Sequence, residues 1–429
     1  MVNHKNWMGD IQDILILLSF LLEVAVLFYL EMKAWKSLYT PLNFLMLPYT
    51  IVLLITIAIS GNYGFVDFYY PSILFWSVGL LIFAIPSYVL AYILQKHNCP
   101  LESKLHETKM PKILVYIATV IILLFVYRLK SVIGGEFAIG SEDFGEEFCG
   151  VGLWGHLRLL LLPILMMAIY FLDKNSRWLW FIIIPMLVVA LLYQVLGWIV
   201  IPCLAAISLR LYTGKTKLRL SLLLYVLLGV AIVFLGSYVM VLVIAGDSEL
   251  NNEVLSFIFR NFVHYLTSGT LGFSVDMQQG YPDMGVFDIV IAQFVNIGKI
   301  LSGDGELLSA LNPLFYNTGV NWTNVRTLFG TVFINSGYLI FAIFVFVLSC
   351  IMYLLKLATI RYNNVFVYII YFFECGLLFM GWFDSYFASL SIIEIPIWSL
   401  LLLLLCRMCS PMTENKILID ATEKIQTGN

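Results

Sequence analysis

Hydrophobic residues come in blocks of similar length along this chain. Mostly apolar runs fall at 11–30, 42–60, 73–94, 113–133, 157–172, 178–193, 198–212, 220–245, 330–352, 365–383 and 391–407. A helix rises about 1.5 Å per residue, so about 20 apolar residues cross the ~30 Å hydrocarbon core of a bilayer. The pattern therefore predicts an all-α polytopic membrane bundle of about 11 transmembrane helices, forming one integral membrane domain over 1–429. The stretch 178–212 is too long for one crossing, so it divides at Gln194–Trp198 into two short helices and a tight turn. The first run is of spanning length and lacks a basic n-region, so it reads as a retained helix rather than a cleaved leader. No internal or inverted repeat of the kind many transporters carry is visible.

Composition agrees: 61% of residues are hydrophobic and 12% are charged, against about a quarter charged in a typical soluble domain. Lysine and arginine set the orientation. With the N-terminus outside and the C-terminus inside, 17 of the 24 fall on the inner side, as the positive-inside rule requires. Of seven cysteines only Cys149 then falls in an outer loop, which excludes an outer disulfide framework within one chain. The CxxC spacing of Cys406 and Cys409 has no second ligand pair and reads as a lipid-edge pair of thiols.

Two sizeable outer segments remain. The segment 134–156 carries five carboxylates and no lysine or arginine, and 246–329 is a large loop, too long for a structureless connector. Within it, 253–268 has helical period: Leu255, Ile258, Phe259, Phe262 and Leu266 form an apolar stripe, with Ser256, Arg260, His264 and Thr267 opposite. Such a helix lies on the membrane surface or against the bundle. A second helix is predicted over 286–301, interrupted by Asp288, Asn296 and Lys299.

Several chemistries find no support. Thr213–Thr216 (TGKT) resembles the tail of a phosphate-binding loop, but the upstream glycine position is Leu209, so no nucleotide is expected. No paired His/Cys ligand set exists, so no metal or other cofactor is expected. The outer basic residues are few: Lys5, Arg128, Lys130, Arg158, Arg260, Lys299 and Arg326. Arg128 and Lys130 end the fourth run, where snorkelling to headgroups is the alternative to a functional role. Arg158, beside His156, stands one turn inside an apolar helix after the acidic loop and fits snorkelling less well. Arg260 and His264, at i and i+4, point the same way, either to a substrate or into solvent. Glu23 and Glu374 lie within apolar runs, where ionisable groups mark function or a partner in the bundle.

Arg326 stands at the mouth of the ninth run in the stretch NVRTLFGTVFINSG, and ten residues separate it from Gly337. This Arg-x10-Gly pattern, the large loop before the last three helices, and the stretch 146–158 together resemble the bacterial O-antigen and capsule repeat-unit polymerases of the Wzy type. The resemblance implies a glycosyltransferase of the bacterial cytoplasmic membrane acting on a polyprenyl-diphosphate-linked oligosaccharide. It also implies a flippase and a chain-length regulator as possible partners and no nucleic acid. Arg326, Arg260, His264 and Arg158 would be catalytic, with the donor diphosphate as the anion opposite Arg326; a structural ion pair with one of the thirteen carboxylates in 134–156 and 246–329 is the alternative there. His156, Gly337, Lys299 and Trp322 would contact substrate. An O-antigen ligase using the same donor and a transporter or flippase of the lipid-linked glycan are the alternatives.

Overall fold

The computed structural model describes residues 7–409 apart from 102–104, 106–108, 134–141, 151, 194, 196, most of 220–251, 281–284, 304–305 and 310. The apolar runs become helices: α1 Trp7–Trp35, α2 Pro41–Ile59, α3 Ser72–Lys96, α4 Lys112–Ile133 and α5 Gly152–Phe171. The expected break within 178–212 is present, since α6 (Arg177–Leu192) ends and α7 (Gly197–Tyr212) restarts around Tyr193–Val195. After 246–251 come α8 (Asn252–Gln278) and α9 (Ala292–Ser302), then a two-stranded antiparallel hairpin, β1 (Tyr316–Asn317) and β2 (Trp322–Thr323). The last helices are α10 (Leu328–Tyr362), α11 (Val365–Phe379) and α12 (Ser391–Cys409).

Eight of the described helices, α1–α5 and α10–α12, are long and apolar enough to cross a membrane. The chain is thus a multi-pass, all-α membrane bundle. Helices α6 and α7 are apolar but shorter, and the run predicted at 220–245 lies mostly outside the described residues. Prolines sit inside α2, α3, α5, α6, α7 and α12. Membrane helices tolerate this because neighbouring helices re-satisfy the freed carbonyls.

Helix α11 is the centre of the bundle, packed on α2, α5, α7, α10 and α12, while α3 packs chiefly on α10 and α1. One end of the bundle is closed by Arg210, whose Nη1 donates to the carbonyls of Ile169 (2.8 Å), Tyr170 (2.9 Å) and Leu172 (2.6 Å), capping the C-terminus of α5. At the opposite end, hereafter the loop end, three segments interlock. Val66 N donates to Thr318 O (2.9 Å), Tyr69 N to Ser274 Oγ (2.7 Å) and Thr270 Oγ1 to Trp382 O (3.4 Å).

Three local expectations change. The helix expected to end at 268 continues to Gln278, and its second half, Thr267–Asp276, is buried throughout. Its apolar Leu255 and Phe259 face outward, while His264 and Thr267 face inward. In a bilayer that placement of these four is favourable, because lipid solvates Leu255 and Phe259 while His264 and Thr267 find hydrogen bonds within the bundle. Ile258 of the apolar stripe is buried, and Ser256 and Arg260 of the polar stripe are exposed. The single helix expected over 286–301 is broken at Ile291 into Phe287–Val290 and α9. Finally, α10 begins before its apolar run and is broken at Gly337, where φ is +70° and ψ is −177°. That region of backbone space is essentially open only to glycine. A short half-helix, Leu328 to Ser336, thereby runs inside the loop end before the spanning half begins.

Candidate functional site

The break at Gly337 explains why polar side chains gather at the loop end. The half-helix starts at Thr327, whose hydroxyl accepts from Gly330 N (3.1 Å) and from Trp76 Nε1 (3.0 Å), a capping arrangement that satisfies an otherwise orphan backbone donor. Asp384 sits against this helix start. It accepts from the Thr331 hydroxyl (2.6 Å), from Ser385 N (2.7 Å) and from the backbone N–H of Arg326. A carboxylate is favourably placed at a helix N-terminus, yet burial still pushes this one up to about 6. Asn312 donates to Thr331 Oγ1 (3.3 Å) and accepts from Asn335 Nδ2 (3.0 Å), extending the polar chain inward.

Arg326 is the most enclosed of the expected functional residues, at 2% exposure. Its Nε and Nη2 face the two carboxylate oxygens of Asp276, the latter at 3.2 Å, in a forked ion pair. Nη1 donates to the carbonyls of Leu314 (3.1 Å) and Asn324 (3.0 Å), and the guanidinium lies 4.9 Å from the centre of the Tyr316 ring. A resident carboxylate thus occupies the forked face, the structural ion pair that is the alternative to a diphosphate at Arg326. Burial raises the Asp276 carboxyl, and the guanidinium offsets part of that rise.

Helix α8 supplies Asp276 because it can approach its neighbours closely. A Cβ on Gly269 would overlap the Phe383 carbonyl, and one on Gly272 the Tyr316 hydroxyl. Tyr316 in turn donates to Ser268 O (3.1 Å) and Val325 O, pinning the hairpin to α8. One turn after the exposed Arg260, His264 is 4% exposed, with Nδ1 3.0 Å from Thr318 Oγ1. Burial pushes its imidazole down to about 4, so it is neutral at pH 7. Arg260 and His264 therefore do not share an environment. His264 and Asp276 are separated by twelve residues of helix, roughly 18 Å at about 1.5 Å each, so His264 and Arg326 are not one clamp.

The remaining residues fall elsewhere. His156 Nδ1 lies 3.0 Å from Glu394 at the start of α12. Lys299 donates to Glu306 O (2.8 Å), and Trp322 is 61% exposed on the hairpin. Gly337 is the hinge of α10, and a Cβ there would meet nothing within 4 Å.

Arg158 is different. It stands near the start of α5, 6% exposed, with its guanidinium 3.7 Å from the centre of the Tyr193 ring. Its Nε donates to Cys149 O (3.2 Å), while Nη1 is enclosed with no hydrogen-bond partner. Among the described residues no carboxylate reaches ion-pair distance of it; the ion pairs formed are Arg128–Glu147, His156–Glu394 and Arg326–Asp276. A buried cation with no carboxylate in contact is costly, and a planar fork with a free donor is suited to an oxyanion. Glu394 and Glu146 lie near enough to act on it through space. Two parts of this arrangement, Asp276 and Tyr193, carry no local signal in the sequence.

Neither a curated protein nor a solved structure matches the chain. Residues 64–412 match the family model DUF6337, described as a family of unknown function. That match covers the bundle from the α2–α3 connection to the end of α12, and with it both buried arginines. The chain belongs to the DUF6337 family.

Proposed function

We propose that this chain is a polysaccharide polymerase, which transfers polyprenyl-diphosphate-linked oligosaccharide repeat units at the outer face of a bacterial cytoplasmic membrane. The loop end is the outer end in this reading. The N-terminus lies outside, the C-terminus inside, and 220–245 completes eleven spans. The Lys/Arg distribution supports that orientation.

The observation that carries the reading is Arg158, a buried guanidinium with an unpartnered Nη1 and no ion pair among the described residues. A diphosphate leaving group needs no nucleotide and no general acid. It needs a cation to hold the negative charge that develops as the glycosidic C–O bond breaks. Arg158 takes that role, and Arg326, already paired with Asp276, positions the loop end around it. The attacking sugar hydroxyl must lose a proton. Asp384, with its carboxyl near 6 and a little surface still exposed, is the base best matched to neutral pH.

The test is glycan banding in a deletion strain complemented with wild type or Arg158→Lys. Polymerisation predicts long chains with wild type and single repeat units on the lipid core without it. Bare core in the deletion would point to a ligase, and units trapped inside the cell to a flippase. Either result would overturn the proposal.

A further inference from the structure

Between α1 and α3 a groove of about 480 Å³ opens sideways from the bundle. Its walls are Val26, Leu27, Leu30, Leu81 and Ile85, with one carboxyl, Glu23, among them. Both helices are candidate membrane spans, and Glu23 lies at the midpoint of the apolar stretch Ile11–Trp35. The Ser77 hydroxyl stands against this carboxyl, but Oε1 is enclosed and has no hydrogen-bond partner. Tyr88, the other polar residue lining the groove, is committed to Leu27 O at 3.3 Å.

An ionisable group at mid-bilayer costs about 2.5–3.5 kcal/mol by insertion scales and is ordinarily paired. The groove's occupant must therefore fill apolar space and also bring a donor to Oε1. A lipid acyl chain does the first and not the second. A second copy of the chain apposed through the same face offers exposed Leu18, Leu22, Val78 and Leu81 and an identical carboxyl, but no cation at that depth. A foreign helix with one basic side chain does both, since its apolar residues enter the groove and its ammonium meets the carboxylate.

We propose that the α1/α3 groove docks a single transmembrane helix of a partner protein, which presents a lysine at mid-bilayer to Glu23. The site stands apart from the loop end and does not depend on the reaction performed there.

The experiment uses the purified full chain in phosphatidylcholine vesicles with two labelled leucine–alanine transmembrane peptides, one with a central lysine and one with a central leucine. Energy transfer should give the lysine peptide about tenfold tighter association, in the range of interhelical polar contacts. Glu23→Leu should remove that preference. Val26→Trp, which fills the groove and leaves the carboxyl in place, should weaken binding of the lysine peptide by a similar factor. Equal binding of both peptides to wild type would overturn the proposal in favour of a lipid-filled groove. Self-association of the protein that is lost in Glu23→Leu, counted by photobleaching steps, would overturn it in favour of a second copy.

Discussion

Two arginines, Arg326 and Arg158, are both more than nine-tenths buried, and each lies against a tyrosine ring. They differ in what meets the fork. Arg326 has a carboxylate on its forked face and carbonyls on Nη1. Arg158 has one carbonyl on Nε and nothing on Nη1. Burial alone therefore does not identify a ligand-binding cation. The first guanidinium ties α8 to the start of α10 across fifty residues of chain, whereas the second is held in place with donor capacity left over.

The largest effect should come from unpairing the first. Asp276→Asn leaves Arg326 buried and uncompensated, a loss of about 3–5 kcal/mol of stability for a broken buried pair. Replacing both partners, Asp276→Asn with Arg326→Gln, should restore most of it, read as thermal midpoints in detergent. If the single variant is as stable as wild type, the ion pair is not what holds the loop end together. Next comes Arg158→Lys, which keeps the charge and loses the planar fork. It should fold normally and lower polymer formation by about 10²–10³-fold, the cost of one transition-state donor. Unchanged chain length would reduce Arg158 to a packing residue.

The apolar runs were legible because spanning a bilayer demands a length that few other structures need. Nearly every described span lies within a few residues of its run, and even the break near Tyr193 follows from length alone. The loop end was less legible for a physical reason. The periodic stripe ends at 268, but Gly269 and Gly272 permit close contact with Phe383 and Tyr316, and α8 continues past Asp276. Asp276 is one of eight carboxylates in 246–329, and only the fold brings it to Arg326. Arg158 was visible as an isolated cation after an acidic loop, but the Tyr193 ring over it comes from the next helix along. His264 and Thr267 turn inward while Ile258 is buried and Ser256 and Arg260 stay exposed, so the stripes were readable and the faces they present were not.

At the loop end burial pushes His264 down and Asp384 up, with Asp276 raised in the same sense as Asp384 but by less, and pH separates the two large shifts. His264 falls from 6.5 to about 4, so its contribution to stability is fully present above 6.5 and is lost as pH falls toward 4. Asp384 rises from 3.8 to about 6, so its contribution is fully present below 3.8 and is lost as pH rises through 6. Between pH 4 and 6 the two slopes oppose each other and the wild-type profile should be shallow. Asp384→Asn should then expose a midpoint that climbs with pH, and His264→Gln one that declines. Parallel profiles for all three proteins would mean that neither group is as enclosed as described.

The smallest effects separate the two tyrosines that flank the arginines. Tyr193→Phe keeps the ring at Arg158 and loses only a marginal 3.5 Å contact from the hydroxyl to Glu146. A hydrogen bond that long contributes little, so stability and activity should both stay within about 0.5 kcal/mol of wild type. Tyr316→Phe also keeps its ring beside Arg326, but it removes a buried hydroxyl bonded to Ser268 O and Val325 O. Ser268 O lies within α8 and retains a helical partner position, so the loss falls mainly on Val325 O and on the tie between hairpin and helix. About 1 kcal/mol of stability should go, the usual net worth of one buried hydrogen bond. The ratio between the two variants is the informative quantity, because both delete the same atom beside the same kind of cation. Equal losses would mean that the hydroxyl at Tyr193 has a stronger partner than Glu146, and Arg158 would then be more tightly framed than a ligand site requires.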